Sequence, residues 1–186
     1  MCADSASGDL PTQTSHRSDV TVRPLAEDDG DALAAFGSAL PEDDWLYLDM
    51  DLQSQQTVER LVRAHEATNW RQIVAVIGDE VVGYANVRAL PGWQGHVGDA
   101  HLVISPAHRR RGLGALLAQS IIAAGGQLGV VKLVLEMVEE QSSGRQIFER
   151  LGFRQEGLLL DQARDQQGRL HNLLVLGYRL PDPPDA

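Results

Sequence analysis

The stretch of the sequence best suited to chemistry is a run of arginine and glycine, Arg109-Arg110-Arg111-Gly112-Leu113-Gly114, which follows an apolar segment and opens a segment of helical periodicity. Backbone N–H groups at the start of a helix have no partner inside the helix, and together with the helix dipole they form an anion site. Glycine lets an anion approach the main chain closely, and the arginines add positive charge. The run therefore predicts a site for a diphosphate group. The alternative is a surface turn with solvated arginines.

Two familiar phosphate motifs do not match this run. The Walker pattern ends in Gly-Lys-Ser/Thr, and no lysine follows the glycines here. The dinucleotide fingerprint needs three glycines in the pattern G-x-G-x-x-G, whereas position 117 is Leu. We therefore expect a diphosphate ligand outside both of these classes.

Hydrophobic periodicity predicts the elements that hold the turn. Residues 1–19 are expected to form a flexible leader, residues 20–180 one domain, and residues 181–186 a proline-rich tail. Within the domain the order β-α-α-β-β-β-α-β-α-β-β predicts an α/β fold with a mixed sheet. The predicted helices cover 32–40, 54–66, 113–125 and 144–151, and the predicted strands cover 20–25, 72–77, 81–88, 99–105, 131–138, 154–163 and 170–180.

The composition excludes several other classes of function. A chain of 186 residues suits one domain, and its net charge of −10 disfavours binding to nucleic acid, which is itself a polyanion. Cys2 is the only cysteine and no histidine pair has metal-ligand spacing, so we expect neither disulfides nor a metal site. No segment approaches the roughly 18 apolar residues of a membrane span, and the polar N-terminus lacks a signal-peptide core. We therefore expect a cytoplasmic protein that makes no membrane contact.

The turn also resembles a known family signature. Arg109-x-x-Gly112-x-Gly114 matches the (Gln/Arg)-x-x-Gly-x-(Gly/Ala) motif of the GNAT acetyltransferases. A second block, from Gln141 to Phe153, is similar to the "N-x-x-A-x-x-L-Y-x-K-x-G-F" helix of the same family. Two motifs in the right order identify the chain as resembling a GNAT N-acetyltransferase.

The resemblance implies an acyl-CoA N-acyltransferase fold, with acetyl-CoA as the acyl donor and an amine as the acceptor. It implies that the turn holds the pyrophosphate and that the strand before it hydrogen-bonds the pantetheine arm. The acyl end then lies in a gap between two splayed central strands, and the amine enters from the opposite side. The cofactor-binding residues implied in this way are Leu102, Val103, Ile104, Arg109, Arg110, Arg111, Gly112, Leu113, Gly114, Ala115, Gln141, Gly144 and Phe148.

The second block departs from the family pattern at three positions. Phe148 stands where many members carry the tyrosine that protonates the departing thiolate, and phenylalanine has no proton to give. A thiolate with a pKa near roughly 8.5 is a tolerable leaving group without help. Water or another side chain, for example Tyr84, is an alternative proton source. Gln141 replaces an asparagine and can still donate an amide hydrogen bond, while Gly144 replaces an alanine.

Aminolysis of a thioester requires removal of one amine proton and stabilisation of an oxyanion. Asp99, His101 and Val103 share one strand face by their period-two alternation, and Glu136 belongs to the neighbouring predicted strand. Asp99, His101 and Glu136 are therefore the catalytic candidates. The alternative places Asp99 in the preceding loop and makes His101 a packing residue.

The acceptor is less well marked in the sequence. From Glu27 to Asp51 there are nine acidic residues and no lysine or arginine, which would attract a cationic amine unless the segment is only a solvated helix face. Trp45, Tyr84 and Trp93 are the candidate substrate-binding aromatics, and a small molecule or a peptide could supply the amine. The resemblance also implies a possible homodimer through the last strands.

Two other classes of protein remain open at this point. One is a non-catalytic acyl-CoA sensor that keeps the cofactor turn, a hypothesis supported by Phe148. The other is a nucleotide-binding α/β domain of a different fold, which ATP or NAD would stabilise and acetyl-CoA would not.

Overall fold

The computed structural model of the protein describes residues 13–15, 20–42, 44, 48 and 50–181. The helices in these ranges are α1 (Gly30–Ala39), α2 (Gln55–Arg63), α3 (Leu113–Gln127) and α4 (Ser142–Arg150). The strands are β1 (Gln13–Ser15), β2 (Val20–Pro24), β3 (Trp70–Ile77), β4 (Glu80–Ala89), β5 (Val97–Ile104), β6 (Lys132–Val138), β7 (Arg154–Arg164) and β8 (Leu170–Arg179).

The strands form one sheet in the order β1-β2-β3-β4-β5-β6-β8-β7. All neighbours are antiparallel except β5 and β6, which are parallel and connected through α3. The β5–β6 ladder joins only residues 97–99 to residues 132–134. Within the described sheet the two strands then continue without pairing, so a cleft opens between them toward their carboxyl ends.

Apolar side chains cover both faces of the sheet. On the α3–α4 face, Leu113, Leu117 and Ile121 recur every four residues along α3 and pack onto the strands. On the α1–α2 face, Leu33 and Leu61 are fully buried in a second cluster. Strand residues alternate between these faces, so in β5 the even-numbered side chains face α3 and α4 and the odd-numbered ones face α1 and α2.

The predicted order of elements is confirmed, with one addition. Gln13–Ser15, inside the segment predicted as a leader, pairs with β2 as an extra strand. Without this strand, the outer backbone N–H and C=O groups of β2 would have no partner in the sheet. A polar segment can pair with them because strand pairing uses backbone groups and not side chains. The second helix also ends at Arg63, before the predicted Glu66, because residues 64–66 turn back toward β3.

Two further properties of the described ranges bear on function. None of their helices has the length and apolar character needed to cross a bilayer. Nor do these ranges contain a group of three or more His, Cys, Asp or Glu side chains placed to hold a metal ion.

Candidate functional site

The arginine–glycine turn connects β5 to α3. A 3₁₀ turn, Pro106–His108, follows β5, and the backbone is then left-handed at Arg110 (φ 59°) and at Gly112 (φ 87°). Gly112 precedes the first turn of α3, and no described side chain caps that helix end. The amides of residues 113–115 therefore have no intrahelical partner. No described heavy atom lies within 4 Å of a Cβ built on Gly112, so the turn has the room and the donors that a pyrophosphate requires.

The three arginines of the turn do not act together. Arg109 Nε donates to the backbone oxygen of Ile104 at 3.1 Å, and its guanidinium forms an ion pair with Asp44, whose side chain is only 4% exposed. Arg110 and Arg111 are exposed. In this structure the Arg109 side chain therefore ties the turn to the segment between α1 and α2, while Arg110 and Arg111 leave their side chains exposed beside the helix start.

Gly114 has a packing role in the structure. A Cβ at this position would lie 2.9 Å from Ile147 Cδ1 and 3.4 Å from Ile104 Cδ1. The missing side chain thus lets α3 approach α4 and β5 closely. Of the two glycines predicted to admit a phosphate, only Gly112 has an open side.

A cavity of about 60 Å³ lies where β5 and β6 separate. It brings together four of the predicted cofactor residues with two of the predicted catalytic ones. The residues that line it are Ala100, His101, Leu102, Leu135, Glu136, Met137, Gln141, Gly144 and Phe148. Residues 102–104 of β5 continue from this cavity to the turn, so the strand connects the two along the chain.

The side of the cleft formed by α4 is apolar. Phe148 is 6% exposed and packs edge-on against Phe153 with ring centroids 5.1 Å apart. A Cβ on Gly144 would lie 3.8 Å from Gln141 Oε1 and from Met137 Cε, which is ordinary contact, so an alanine would fit there. Phe148 therefore both fills the core and lines the cleft, without a proton to transfer.

The catalytic candidates share the α1–α2 face of the sheet. Asp99 lies within β5, paired with Arg88 and Val134, so the alternative that placed it in a loop is wrong. Its carboxylate accepts a hydrogen bond from His101 Nε2 at 3.2 Å. A carboxylate can only accept, so Nε2 carries the hydrogen. Glu136 lies on β6 across the cleft and is exposed.

The predicted acceptor-binding aromatics are not brought together. Tyr84 is fully buried and its hydroxyl donates to Gln72 Oε1 at 3.0 Å, so this core position corrects its prediction as an acceptor contact or proton donor. Trp93 projects from the β4–β5 connection and is 99% exposed, which leaves it outside the cleft. Trp45 lies outside the described residues.

Part of the acidic segment is committed to structural ion pairs. Asp29 receives two hydrogen bonds from Arg23, at 2.6 and 2.7 Å, and one from the Ala26 N–H at 2.7 Å. Burial raises the pKa of Asp29, but these bonds outweigh it and the pKa lies below its usual range. Since Asp44 is likewise paired with Arg109, the charge available to attract a cation is smaller than the sequence predicts.

Residues that the sequence interpretation missed lie beside the candidates. Asn86 of β4 is directly opposite His101 and is 1% exposed. The period-two pattern of Tyr84, Asn86 and Arg88 was the available signal, because antiparallel pairing puts them on the face that carries Asp99 and His101.

A second missed group holds the β7–β8 turn. The buried carboxylate of Asp165 accepts from the Arg169 N–H at 2.8 Å, from Arg169 Nε at 2.6 Å and from His171 Nε2 at 3.0 Å. The hydrogen bond with His171 holds the pKa of Asp165 well below its usual range, and the same bond raises the pKa of His171. The sequence predicts a turn at residues 165–168, but the spacing of Asp165, Arg169 and His171 does not show that their side chains meet.

A comparison with protein families gives one match: the sequence model of the Acetyltransferase (GNAT) family covers residues 36–153, well over half of the chain. The chain belongs to the GNAT acetyltransferase family. It is therefore an acyltransferase that uses acetyl-CoA as its donor. No match is found among curated protein sequences.

Solved structures with this fold include three informative neighbours of this GNAT protein. The YncA acetyltransferase of Salmonella typhimurium, solved with acetyl-CoA, is 19% identical, with a TM-score of 0.73 over 90% of this chain and 98% of its own. A phosphinothricin acetyltransferase of Sinorhizobium meliloti, also with acetyl-CoA, is 18% identical, with a TM-score of 0.75 over 87% and 88%. A ribosomal-protein-S5-alanine acetyltransferase of Vibrio fischeri is 11% identical, with a TM-score of 0.79 over 93% and 98%. At these identities the likeness concerns the fold, which the three proteins share with this chain.

Proposed function

We propose that this GNAT protein transfers the acetyl group of acetyl-CoA directly to a primary amine bound on the α1–α2 face of the sheet. The observation that carries the proposal is the cleft, with His101 on one side and Glu136 on the other. A thioester carbonyl held between β5 and β6 is open to attack from the face that carries these two side chains. Acetyl-CoA supplies the activated acyl group, and the protein supplies position and proton transfer.

The cofactor site follows from backbone geometry. The amides of residues 113–115 and the open turn at Gly112 would hold the pyrophosphate, with Arg110 and Arg111 adding positive charge. The edge of β5 that faces the cleft would hydrogen-bond the pantetheine arm through residues 102–104, and one of its N–H groups would stabilise the oxyanion. Gln141 and Phe148 would contact the arm from α4.

Glu136 is the proposed general base. The amine nitrogen bonds to the acyl carbon, its proton passes to the Glu136 carboxylate, and the C–S bond breaks to release the thiolate of coenzyme A. Glu136 is exposed, so its carboxylate is open to an amine that approaches from this face of the sheet. The Asp99–His101 pair, whose imidazole lines the same cavity, would orient the amine or relay the proton to solvent.

The family and the fold leave the chemical class of the acceptor open. The structures with this fold include a phosphinothricin acetyltransferase and a ribosomal-protein-S5-alanine acetyltransferase, so the fold serves both small-molecule and protein amines. The unpaired part of the acidic segment still favours an acceptor of low negative charge. Trp93 would contact only an acceptor large enough to extend to the β4–β5 connection.

The test is a panel of small amines, amino-acid amides and peptides incubated with acetyl-CoA, with release of free thiol and acetylated product followed by mass. Turnover that depends on both substrates supports the proposal. Acetyl-CoA binding without turnover on any amine would favour the non-catalytic sensor. If ATP or NAD raised the melting temperature and acetyl-CoA did not, the cofactor site would be wrong.

We also infer that a second copy of this chain pairs along β7, an edge strand of the described sheet. Leu158 and Leu160 lie on the same side of β7 and are 40% and 69% exposed, and Leu170 of β8 is 47% exposed. Exposed leucines on an edge strand favour strand pairing with another chain. Light scattering should give the mass of a dimer, and Leu160→Glu should give a monomer. A native monomer at high concentration would contradict the inference.

A further inference from the structure

One polar row crosses three strands on the α1–α2 face, next to the proposed acetylation site. It consists of Gln72 on β3, Asn86 on β4 and His101 on β5, which are direct partners in the two ladders. Directly opposed side chains on paired strands lie about 5 Å apart. Asn86 is therefore one strand away from the His101 ring that lines the cleft.

The orientation of the Asn86 amide is fixed by a neighbour that can only donate. Trp70 Nε1 donates to Asn86 Oδ1 at 3.2 Å, and because an indole nitrogen has no acceptor capacity, the other amide atom must be the NH₂ group. Gln72 is satisfied on both sides, since its Nε2 donates to the backbone oxygen of Leu61 at 2.8 Å and its Oε1 accepts from Tyr84. The framework around Asn86 is thus held by specific hydrogen bonds.

Asn86 Nδ2 is a buried donor for which the structure provides no hydrogen-bond partner among the described residues. A buried donor without a partner costs free energy in the empty protein, and that cost is recovered when a ligand supplies an acceptor. The next residue on the same face, Arg88, places its guanidinium carbon 5.3 Å from the centre of the Trp70 ring. Its side chain is exposed, and no described carboxylate forms an ion pair with it.

We propose that Asn86 and Arg88 form an oxygen-binding subsite. This enzyme would then select amines that carry a carbonyl or carboxylate group either on the amine-bearing carbon or on the carbon next to it. Both groups donate hydrogen bonds, so the ligand group that they recognise must accept them. The amine nitrogen then lies between His101 and Glu136, and the oxygen lies one strand away. This inference rests on the proposed function and narrows its acceptor class to amino acids, their amides and peptide N-termini.

Three acceptors of similar size test the subsite: alaninamide, alanine and sec-butylamine, the last of which lacks the oxygen. Each variant is compared with the native chain as a ratio of kcat/KM for the same amine, so that differences in amine pKa cancel. Asn86→Leu should lower kcat/KM for alaninamide at least about 10-fold and change it less than about 2-fold for sec-butylamine, since a lost hydrogen bond to a buried donor has this size. Arg88→Gln should lower kcat/KM more for alanine than for alaninamide, and Arg60→Gln, an exposed arginine on α2, serves as its control.

The possible outcomes separate the subsite from the reaction. Equal loss on all three amines would make Asn86 a structural residue only and would overturn the proposal, as would a native preference for sec-butylamine. Because Asn86→Leu could fail to fold, Arg88→Gln at the surface gives an independent measurement. If acetyl-CoA stabilises the native chain but none of the three amines is acetylated, the subsite is wrong while the cofactor site stands. If acetyl-CoA does not bind at all, the proposed function itself fails.

Discussion

The proposed cofactor turn and the proposed acceptor face of this protein are built in opposite ways. The turn from Arg109 to Gly114 is contiguous in sequence and presents backbone N–H groups, whose positions depend on two left-handed residues and on the start of α3. The acceptor face takes single side chains from β3, β4, β5 and β6, held by pairwise contacts such as Trp70–Asn86 and Asp99–His101. A backbone site is insensitive to most substitutions, whereas a side-chain site can change its ligand through one residue. This difference explains how one fold keeps its donor while its acceptors vary.

Because the turn would bind through backbone groups, we expect only two kinds of substitution to weaken acetyl-CoA binding there: those that change the backbone conformation and those that add negative charge. Gly112→Glu should weaken acetyl-CoA binding by at least about 100-fold, because a carboxylate against a pyrophosphate costs several kcal/mol. Turnover should fall below detection at ordinary donor concentrations. The measurement is the rise in melting temperature with added acetyl-CoA, together with a titration of its affinity.

Backbone strain needs its own control in this experiment, because Gly112 has positive φ. Gly129→Glu provides it: Gly129 has φ 71°, no described atom lies within 4 Å of its Cβ position, and it follows the far end of α3. That variant should lose a similar amount of stability and keep its acetyl-CoA affinity. Normal binding by Gly112→Glu would remove the turn as the pyrophosphate site.

On the acceptor face a single side chain should control the rate without affecting the donor. Glu136→Gln keeps the shape of the side chain and removes its basicity, so kcat should fall by about 100-fold, the lower part of the range for general-base catalysis. Acetyl-CoA affinity should remain as in the native chain. Glu80→Gln, at an exposed position opening β4, should behave as the native protein. Native rates for Glu136→Gln across the pH range would exclude this residue as the base.

The contrast also explains which features could be predicted from the sequence. The element order and the turn follow from local patterns, since the arginine–glycine run, the helical repeat of Leu113 and Leu117 and the β3–β4 hairpin each lie within a short window. The GNAT motifs added the cleft residues from Leu102 to Phe148. Neither source indicated that Arg109 turns back to Asp44, because that contact joins residues 65 positions apart.

Side-chain environments were harder to predict than positions. Tyr84, polar at one end, was a plausible acceptor contact in the sequence, but its hydroxyl finds a buried partner in Gln72 and the ring joins the core. Asn86 carried the same alternation signal as His101 and was overlooked, because an amide in an apolar strand gives no indication of whether it is satisfied. Such questions depend on contacts between strands, which sequence spacing does not determine.

The hairpin of β7 and β8, which pairs with β6 at the border of the proposed acceptor face, should be sensitive to pH, unlike α3 behind the turn. The pKa of His171 is raised by its hydrogen bond to Asp165, so the stabilisation is fully present below the unfolded pKa of about 6.5 and is lost as pH rises through the folded pKa. The melting temperature should therefore fall as the pH rises above about 6.5 in the native chain, and fall less in His171→Gln. The hydrogen-exchange protection factors, which are corrected for the pH dependence of the intrinsic exchange rate, should fall at residues 165–171 over the same range and stay constant in α3. Equal pH dependence in both proteins would show that this pair does not control the hairpin.

The smallest effect separates the two glycines of the turn. A Cβ at Gly114 would come within 2.9 Å of Ile147 Cδ1, the movable end of a side chain, while alanine favours a helix over glycine by up to about 1 kcal/mol. Gly114→Ala should therefore change the free energy of unfolding by less than about 1 kcal/mol. Ile147→Val removes the methyl group that the new Cβ would contact. In denaturant titrations, the free energy of unfolding of the double variant should therefore be about 0.5 kcal/mol higher than the sum of the two single effects predicts. Acetyl-CoA affinity should be native in all three, because this Cβ points at α4. A 10-fold weaker affinity in Gly114→Ala, with stability intact, would assign Gly114 to the anion site and end the distinction from Gly112.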